Sequence, residues 1–169
     1  MAPPRVRADD TLRAVATAPR FLVGIDFSPG SRKALAEARR LASLCGAAIT
    51  VAHVRPSSDI RAAIREERGD LVRAGGRVLT RELTEHYARR LAQWTRASEG
   101  ERAIVLRGAP DVALAQEARR GYTLLVLGST GQNAVATLLM GATVERALGR
   151  ATIPVLVVPT SMRGPRRAR

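Results

Sequence analysis

Five short apolar runs, separated by segments of helical length, constrain the fold of this chain more than any other feature. The runs lie at residues 21–26, 48–54, 102–107, 123–127 and 153–158. Short runs that are apolar on both faces and rich in Val, Ile and Leu are typical of parallel strands covered by helices. The order βαβαβαβαβ therefore predicts an α/β fold with a single doubly wound parallel five-stranded sheet, helices on both faces and right-handed crossovers.

The segments between the runs predict helices. Ser31 is expected to cap a helix of about fourteen residues that ends at Gly46. Apolar residues recur at steps of three and four over 78–97 and so predict an amphipathic helix, at Leu79, Leu83, Tyr87, Leu91 and Trp94. Shorter helices are expected over 112–118 and 143–148. The segment 60–76, which is rich in Arg, Glu and Gly, is expected to hold one loose helix and a mobile loop.

The chain length and the composition of its ends predict one folded domain between two tails. A chain of 169 residues is long enough for one sizeable core, which we place at 20–159. Residues 1–19 are expected to form a flexible arm, and residues 160–169, with four arginines, a basic disordered tail. No apolar run approaches the ~20 residues that cross a bilayer, and Cys45 is the single cysteine. We therefore expect no membrane partner and a cytoplasmic location.

The net charge of +13 raises the question of nucleic-acid binding. Such a charge promotes loose association with nucleic acid, for which the basic tail is the expected non-specific site. Single-strand binders also use aromatic side chains as stacking platforms. The aromatic residues are scattered along this sequence, at Phe21, Phe27, Tyr87, Trp94 and Tyr122. The charge is therefore interpreted as a solvated basic surface, with nucleic-acid binding as an alternative.

A glycine-rich stretch before the fifth run is the candidate ligand site. Gly128, Gly131 and Gly141 are spaced Gly-x2-Gly-x9-Gly between a predicted strand and a predicted helix. Glycine lets the backbone approach a ligand closely, and a helix N-terminus offers unpaired N–H donors to an anion. The pattern predicts a phosphate site; a compatible alternative is that the glycines serve turns with positive φ. No Gly-Lys-Ser/Thr phosphate loop and no nucleophile–base pair is evident, so rapid ATP hydrolysis is not expected.

Together with Asp26, the glycine pattern resembles the nucleotide-binding branch of the universal stress protein family. The resemblance covers about residues 20–159 and includes Leu22-Val-Gly-Ile-Asp26-Phe-Ser28, Ala52-His-Val54 and Pro154-Val-Leu-Val-Val158. It implies the strand order 3-2-1-4-5, a homodimer through the last strand, and ATP or a related adenine nucleotide at the carboxyl ends of strands one and four. Ligands of open parallel sheets bind at such a reversal of strand order. Because residues 132–140 carry no charge, phosphate would be neutralised by Mg2+, backbone dipoles or arginines elsewhere.

The resemblance also implies a set of cofactor-binding residues. They are Asp26, Val54, Leu127, Gly128, Thr130, Gly131, Gly141, Ala142, Thr143 and Val144. Asp26 would accept hydrogen bonds from ribose or adenine, or else cap the following turn. Val54 would line the adenine pocket or belong to the core, and Thr130 would contact ribose or phosphate. Val144 is expected near the phosphate through packing, and His53 is expected to be a core or turn residue rather than a catalytic base.

Ala142 is the main departure from the family pattern, which has Ser or Thr at this position. Alanine cannot donate the hydroxyl hydrogen bond to phosphate, a loss of roughly 1.5–3 kcal/mol and thus about tenfold or more in affinity. The backbone N–H groups of Gly141, Ala142 and Thr143 would remain, so we expect weakened binding. Ser129 and Thr143 carry the hydroxyls that could compensate.

Four functions remain open at this point. The first is an ATP-binding stress-response or signalling module, with residues 55–77 as a lid. The second is a family member that binds no nucleotide and acts through dimerisation and protein contacts. The third is a basic nucleic-acid-associated protein, and the fourth is a slow ATPase. An apolar fifth strand at a sheet edge favours a homodimer in each case.

Overall fold

The computed structural model describes residues 18–55, 76–96, 100–129 and 140–160. The five strands are β1 (Arg20–Ile25), β2 (Ala48–Arg55), β3 (Arg102–Arg107), β4 (Leu124–Gly128) and β5 (Val155–Val158). The helices of these segments are α1 (Pro29–Cys45), α2 (Gly76–Thr95), α3 (Pro110–Ala118) and α4 (Ala142–Arg150).

The strands form one parallel sheet in the order β3-β2-β1-β4-β5, as expected from the family resemblance. Phe21 of β1 pairs with Ile49 of β2 on one side and with Leu124 of β4 on the other. The chain builds β1, β2 and β3 on one half of the sheet and then returns to place β4 on the other side of β1, so the order reverses between β1 and β4. The carboxyl ends of these two strands therefore flank the position at which doubly wound sheets bind ligands.

Helices cover both faces of the sheet, which confirms the predicted architecture. On one face, Val23 and Ile25 of β1 pack with α1 and with Leu91 of α2. On the other face, Leu22 of β1 and Leu125 of β4 pack with buried residues of α3 and α4. Strand residues alternate between the two clusters because side chains of a strand point to opposite faces in turn. The sheet thus separates an α1/α2 face from an α3/α4 face.

The first helix begins earlier than the sequence indicated, and the assignment of Ser31 as its cap was wrong. The N-cap is Ser28, whose Oγ accepts a hydrogen bond of 3.1 Å from the N–H of Ser31. Pro29 occupies the first helical position, where its missing N–H costs nothing. The helix therefore has 17 residues instead of about fourteen. Its predicted end is confirmed, since Gly46 adopts the left-handed conformation with φ 68°.

The remaining boundaries differ from the predictions by a few residues. The amphipathic helix spans 76–95 and not 78–97, and the last helix spans 142–150 and so extends beyond the predicted 143–148 at both ends. None of the helices in the described segments combines the length and hydropathy that a bilayer span needs. The predicted lid, the loose helix and both tails fall almost entirely outside the described residues, although Thr160 is included.

Two carboxylates tie the helices to their neighbours through arginine. Glu101, whose side chain is 7% exposed, accepts hydrogen bonds of 2.6 and 2.8 Å from Arg39 of α1. Arg39 also donates to the carbonyl of Thr95 at the end of α2, at 2.8 Å. On the opposite face, Asp111 of α3 accepts a hydrogen bond of 2.9 Å from Arg150 of α4. The first set of contacts links the end of α2 to α1, and the second links the start of α3 to the end of α4.

Candidate functional site

The candidate site lies at the carboxyl edge of β1 and β4. Asp26 follows the last residue of β1, and Gly128 is the last residue of the neighbouring β4. Asp26 is half-buried, and its Oδ1 accepts a hydrogen bond of 3.0 Å from the N–H of Ser28. This oxygen therefore caps the turn that follows β1, which is the alternative role expected for Asp26. The same contact places the Asp26 carboxylate at the entrance to α1.

Three of the predicted site residues meet in one apolar cluster. Val54, Leu127 and Val144 are 7%, 4% and 5% exposed and belong to the buried cluster on the α3/α4 face. The sheet register brings β2 and β4 to either side of β1, while Val144 comes from α4. Val54 and Val144 are thus buried in the core of the α3/α4 face, and their contact with a ligand stays a prediction. These side chains form an apolar floor beneath the carboxyl edge.

Gly128 has a packing reason to be glycine. It is not among the described glycines with positive φ, so a left-handed turn does not explain it. A Cβ placed on Gly128 would lie 2.5 Å from the carbonyl carbon of Gly30 and 2.9 Å from the N atom of Ser31. Contacts this short with backbone atoms cannot be relieved by a rotamer change. The end of β4 is therefore pressed directly against the first turn of α1.

The N-terminus of α4 presents two backbone donors. Gly141 is the N-cap, with φ −63° and ψ 142°, and its carbonyl accepts a hydrogen bond of 2.8 Å from the N–H of Val144. The N–H of Gly141 donates to the carbonyl of Ser129 at 2.9 Å, so this expected phosphate donor is already paired. The N–H groups of Ala142 and Thr143 have no acceptor among the residues that the structure describes. They lie at the positive end of the helix dipole, where anions are stabilised.

The Ser129 hydroxyl is committed to the C-terminal segment. It accepts a hydrogen bond of 3.1 Å from the N–H of Thr160 and lies 3.3 Å from the Thr160 hydroxyl. The Ser129 N–H donates to the carbonyl of Val158 at 2.8 Å. Ser129 is thus poorly placed to replace the hydroxyl missing at Ala142, and the half-buried Thr143 is the better placed of the two candidates.

Two predicted site residues, Thr130 and Gly131, lie outside the described residues, as do 132–139. Their contacts with ribose and phosphate stay predictions. The residues on either side of this segment are hydrogen-bonded to each other, through the Ser129 carbonyl and the Gly141 N–H. The structure therefore describes the first and third glycines of the pattern, Gly128 and Gly141.

Sequence reasoning missed an aromatic cluster on the α1/α2 face. The ring of His53 lies 4.5 Å from that of Phe27 and 4.8 Å from that of Tyr87, and Phe27 contacts Trp94 edge-on at 5.8 Å. His53 Nδ1 lies 2.8 Å from the carbonyl of Ile25, which can only accept, so this nitrogen carries the proton. The role of His53 in the core is thereby explained. The one available signal was the spacing of seven between Tyr87 and Trp94, which places both on one face of α2.

The fold defines a doubly wound α/β protein whose strand order reverses between β1 and β4. The family model described as the universal stress protein family matches residues 18–159. The chain therefore belongs to the universal stress protein family, which confirms the resemblance seen in the sequence.

Individual relatives agree with this assignment. The stress response protein NhaX of Bacillus subtilis (strain 168) is 28% identical over 162 residues, which cover 83% of this chain and 98% of the relative. Among solved structures, hypothetical protein MJ0577 superposes with a TM-score of 0.67 at 22% identity, covering 84% of this chain and 96% of its own. A universal stress protein in complex with cAMP has a TM-score of 0.56 at 22% identity, with coverage of 85% and 98%. At these identities the solved structures support the fold alone.

Proposed function

We propose that this protein is a stress-response module that binds an adenine nucleotide, with ATP as the first candidate, at the carboxyl edge of β1 and β4. The observation that carries the proposal is the pair of N–H groups of Ala142 and Thr143. They stand at the N-terminus of α4 without acceptors among the described residues. A phosphate group is the natural ligand of such donors, because it matches both their hydrogen bonds and the helix dipole.

The residues around these donors fit the rest of a nucleotide. The apolar floor of Val54, Leu127 and Val144 suits a planar base, and the Asp26 carboxylate suits hydroxyl or amino donors of ribose or adenine. A family member of the same fold has been crystallised with cAMP, which supports a nucleotide as ligand. Mg2+, when present, would be carried by the phosphate oxygens, because no group of three His, Cys, Asp or Glu side chains occurs in the described segments.

Titration of the full chain with ATP and Mg2+ by calorimetry tests the proposal. Ala142→Ser restores the donor typical of the family and is expected to tighten binding about tenfold or more, through a hydrogen bond to a charged group. Ala92→Ser, the same change at an exposed position of α2, is the matched control and should leave the affinity unchanged. Absence of binding heat for both the parent and Ala142→Ser at millimolar ATP would exclude this site.

A second function, dimerisation without nucleotide, is favoured by the exposed edge at β5. Val155, Leu156 and Val157 are only half-buried, and β5 pairs with β4 alone among the described strands. The opposite edge strand, β3, carries exposed arginines at both ends, Arg102 and Arg107. Since charge on an edge blocks pairing between chains, β5 is the less protected edge. We propose a homodimer through β5.

Sedimentation equilibrium tests the dimer. The parent should associate with rising concentration, and Val157→Lys should remain monomeric because it places charge on the pairing edge. Gln116→Lys, at an exposed position of α3, is the control for added charge. A concentration-independent parent monomer would reject the dimer. A parent dimer that binds no ATP, with binding gained in Ala142→Ser, would assign the protein to this second function.

A further inference from the structure

We propose that the α1/α2 face carries a second ligand site, for single-stranded nucleic acid, built on Phe27, Trp94, Arg32 and Arg90. We call these four residues the arginine–aromatic patch. The patch lies on the opposite side of the sheet from the apolar floor of the proposed nucleotide site. The two sites share no residue, although they adjoin at the turn between β1 and α1, where Phe27 follows Asp26. The proposal is therefore argued from residues outside the proposed nucleotide site.

Each arginine of the patch lies over an aromatic ring. The guanidinium carbon of Arg90 is 4.2 Å from the centroid of the Phe27 ring, and that of Arg32 is 4.2 Å from the centroid of the Trp94 ring. The two rings contact each other at 5.8 Å in a T-shaped arrangement. Both rings are half-buried, whereas both arginines are exposed. The two guanidinium groups thus form the exposed layer of the patch, above rings that are half-buried.

The positive charge of the patch is not neutralised within the described part of the chain. Neither Arg32 nor Arg90 forms an ion pair there. The carboxylates of Glu37 on α1 and Glu85 on α2 are each paired with another arginine of their own helix. Arg32, together with Lys33, also lies near the N-terminus of α1, where the helix dipole disfavours cations. An anionic ligand would relieve this arrangement.

A cavity of about 360 Å³ adjoins the patch. It is lined by Phe27, Ser28, Pro29, Arg32, Lys33 and Ala36. The cavity is open to solvent, and its volume is at the lower end of the range of small-molecule sites. The Lys33 ammonium, which donates to the carbonyl of Thr160, stands at the same cavity. Cations and an aromatic ring thus share one concave surface.

Single-stranded nucleic acid fits these features better than other polyanions do. Its unpaired bases stack on aromatic rings and on guanidinium planes, while its phosphates contact the same arginines. A duplex keeps its base faces inside the helix, and an acidic peptide or lipid headgroup offers charge without a regular series of planar groups. The net charge of +13 provides the long-range attraction.

The test uses the full chain and a 12-nucleotide oligo-dT. Trp94 is the only tryptophan, so its fluorescence reports on the patch without background. We expect oligo-dT to quench Trp94 and to bind with an anisotropy curve of the same midpoint. Arg32→Lys with Arg90→Lys keeps the charge but removes both planar groups, and should weaken binding about tenfold through lost stacking. Arg102→Lys with Arg119→Lys changes two exposed arginines elsewhere that form no ion pair with the described residues, and should leave binding unchanged.

Two further measurements separate stacking from charge. An abasic 12-mer with the same phosphates should bind more weakly to the parent than oligo-dT and should not quench Trp94. Arg32→Gln with Arg90→Gln should reduce the slope of log K against log salt by about 1.4, at about 0.7 for each lost phosphate contact. Melting curves verify folding, and the single variant Arg90→Lys replaces any double variant that fails to fold.

The proposal is overturned by any of three results. The first is oligo-dT binding without a change in Trp94 fluorescence, which would place binding elsewhere, including the expected basic tail. The second is an equal loss of affinity in the patch and control variants, which would indicate a general charge effect. The third is equal affinity for oligo-dT and the abasic 12-mer, which would identify the ligand as any polyanion.

Discussion

The Cα of Gly128 at the end of β4 lies against the backbone of Gly30 in the first turn of α1, so closely that a Cβ would come within 2.5 Å of the Gly30 carbonyl carbon. This contact gives the first glycine of the Gly-x2-Gly-x9-Gly pattern a structural role that is independent of any ligand. The motif glycines therefore need not share one function. Gly128 joins a strand to a helix, whereas Gly141 caps the helix that presents the candidate phosphate donors.

Gly128→Ala is expected to destabilise the protein in the absence of nucleotide. The new methyl group meets backbone atoms that cannot move aside, and overpacking of this kind costs about 1–3 kcal/mol. Urea unfolding without ligand should show the loss of free energy. The control is Gly149→Ala in α4, where a Cβ meets nothing within 4 Å, so helix propensity should raise stability by roughly 0.5–1 kcal/mol. A Gly128→Ala protein with unchanged stability but no ATP binding would show that the glycine serves the ligand instead.

Ala142→Pro is expected to weaken nucleotide binding while leaving the fold intact. Proline removes the N–H of residue 142, one of the two proposed phosphate donors. The first position of a helix tolerates proline, and the extended ψ of 142° at Gly141 suits a residue that precedes proline. Loss of a hydrogen bond to a charged group predicts a decrease of about tenfold or more in affinity. An unchanged melting temperature with unchanged ATP affinity would remove this donor from the site.

Glu101→Gln is expected to destabilise the protein more than Glu37→Gln. Both carboxylates accept two hydrogen bonds from one arginine, Arg39 or Arg40, so the pairs match in chemistry. They differ in burial, since the side chain of Glu101 is 7% exposed and that of Glu37 is 26% exposed. The hydrogen bonds to Glu101 also raise the pKa of Arg39. We expect a loss of about 1–3 kcal/mol for Glu101→Gln and no measurable change for Glu37→Gln, whose pair is open to solvent. Equal denaturation midpoints for the two variants would contradict this view.

Asp111 is expected to make stability depend on pH in the acid range. Burial acts to raise the pKa of Asp111, but the hydrogen bond from Arg150 and the charges of Arg146 and Arg150 outweigh it, so the pKa lies below its usual value. A carboxylate whose pKa is lower in the folded state stabilises the fold above its unfolded pKa, about 3.9, and loses that contribution as the pH falls through its folded pKa.

The measurement for Asp111 is urea unfolding of the parent and Asp111→Asn between pH 7 and pH 3. At pH 7 the variant should be less stable by roughly 1.5–3 kcal/mol, and the difference should shrink below about pH 4 as the parent carboxylate is protonated. Arg150→Gln should cost more than Arg146→Gln, because Arg150 lies 2.9 Å from Asp111 Oδ2 and Arg146 lies 3.6 Å away. A stability difference that is constant from pH 7 to pH 3 would refute the assignment.

The sequence predicts the sheet well because each strand is encoded locally. Runs of Val, Leu and Ile bounded by turn residues indicate buried parallel strands without knowledge of their neighbours. The sequence does not predict the start of α1 uniquely, because Ser28 and Ser31 are both good capping residues. The deciding signal was Pro29, which fits the first helical position and therefore makes the residue before it the cap.

Contacts between distant segments could not be predicted in the same way. The reason for glycine at position 128 depends on contact with Gly30, 98 residues earlier in the chain, and no local pattern encodes a contact over that distance. The aromatic residues appear scattered in sequence, yet β1, β2 and α2 bring Phe27, His53 and Trp94 into contact. The commitment of Ser129 to Thr160 likewise follows from the pairing of β4 with β5.

The hydrogen bond between the Ser129 carbonyl and the Gly141 N–H joins the end of β4 to the N-terminus of α4. Eleven residues, 130–140, lie between these two positions. Because the two ends are joined independently of what lies between them, the sheet and α4 do not set the length of this segment, and each doubling of it costs only about 0.6 kcal/mol of closure entropy. This hydrogen-bonded pair therefore marks a natural insertion point, at which the segment between the two residues can be lengthened or exchanged without redesigning the fold.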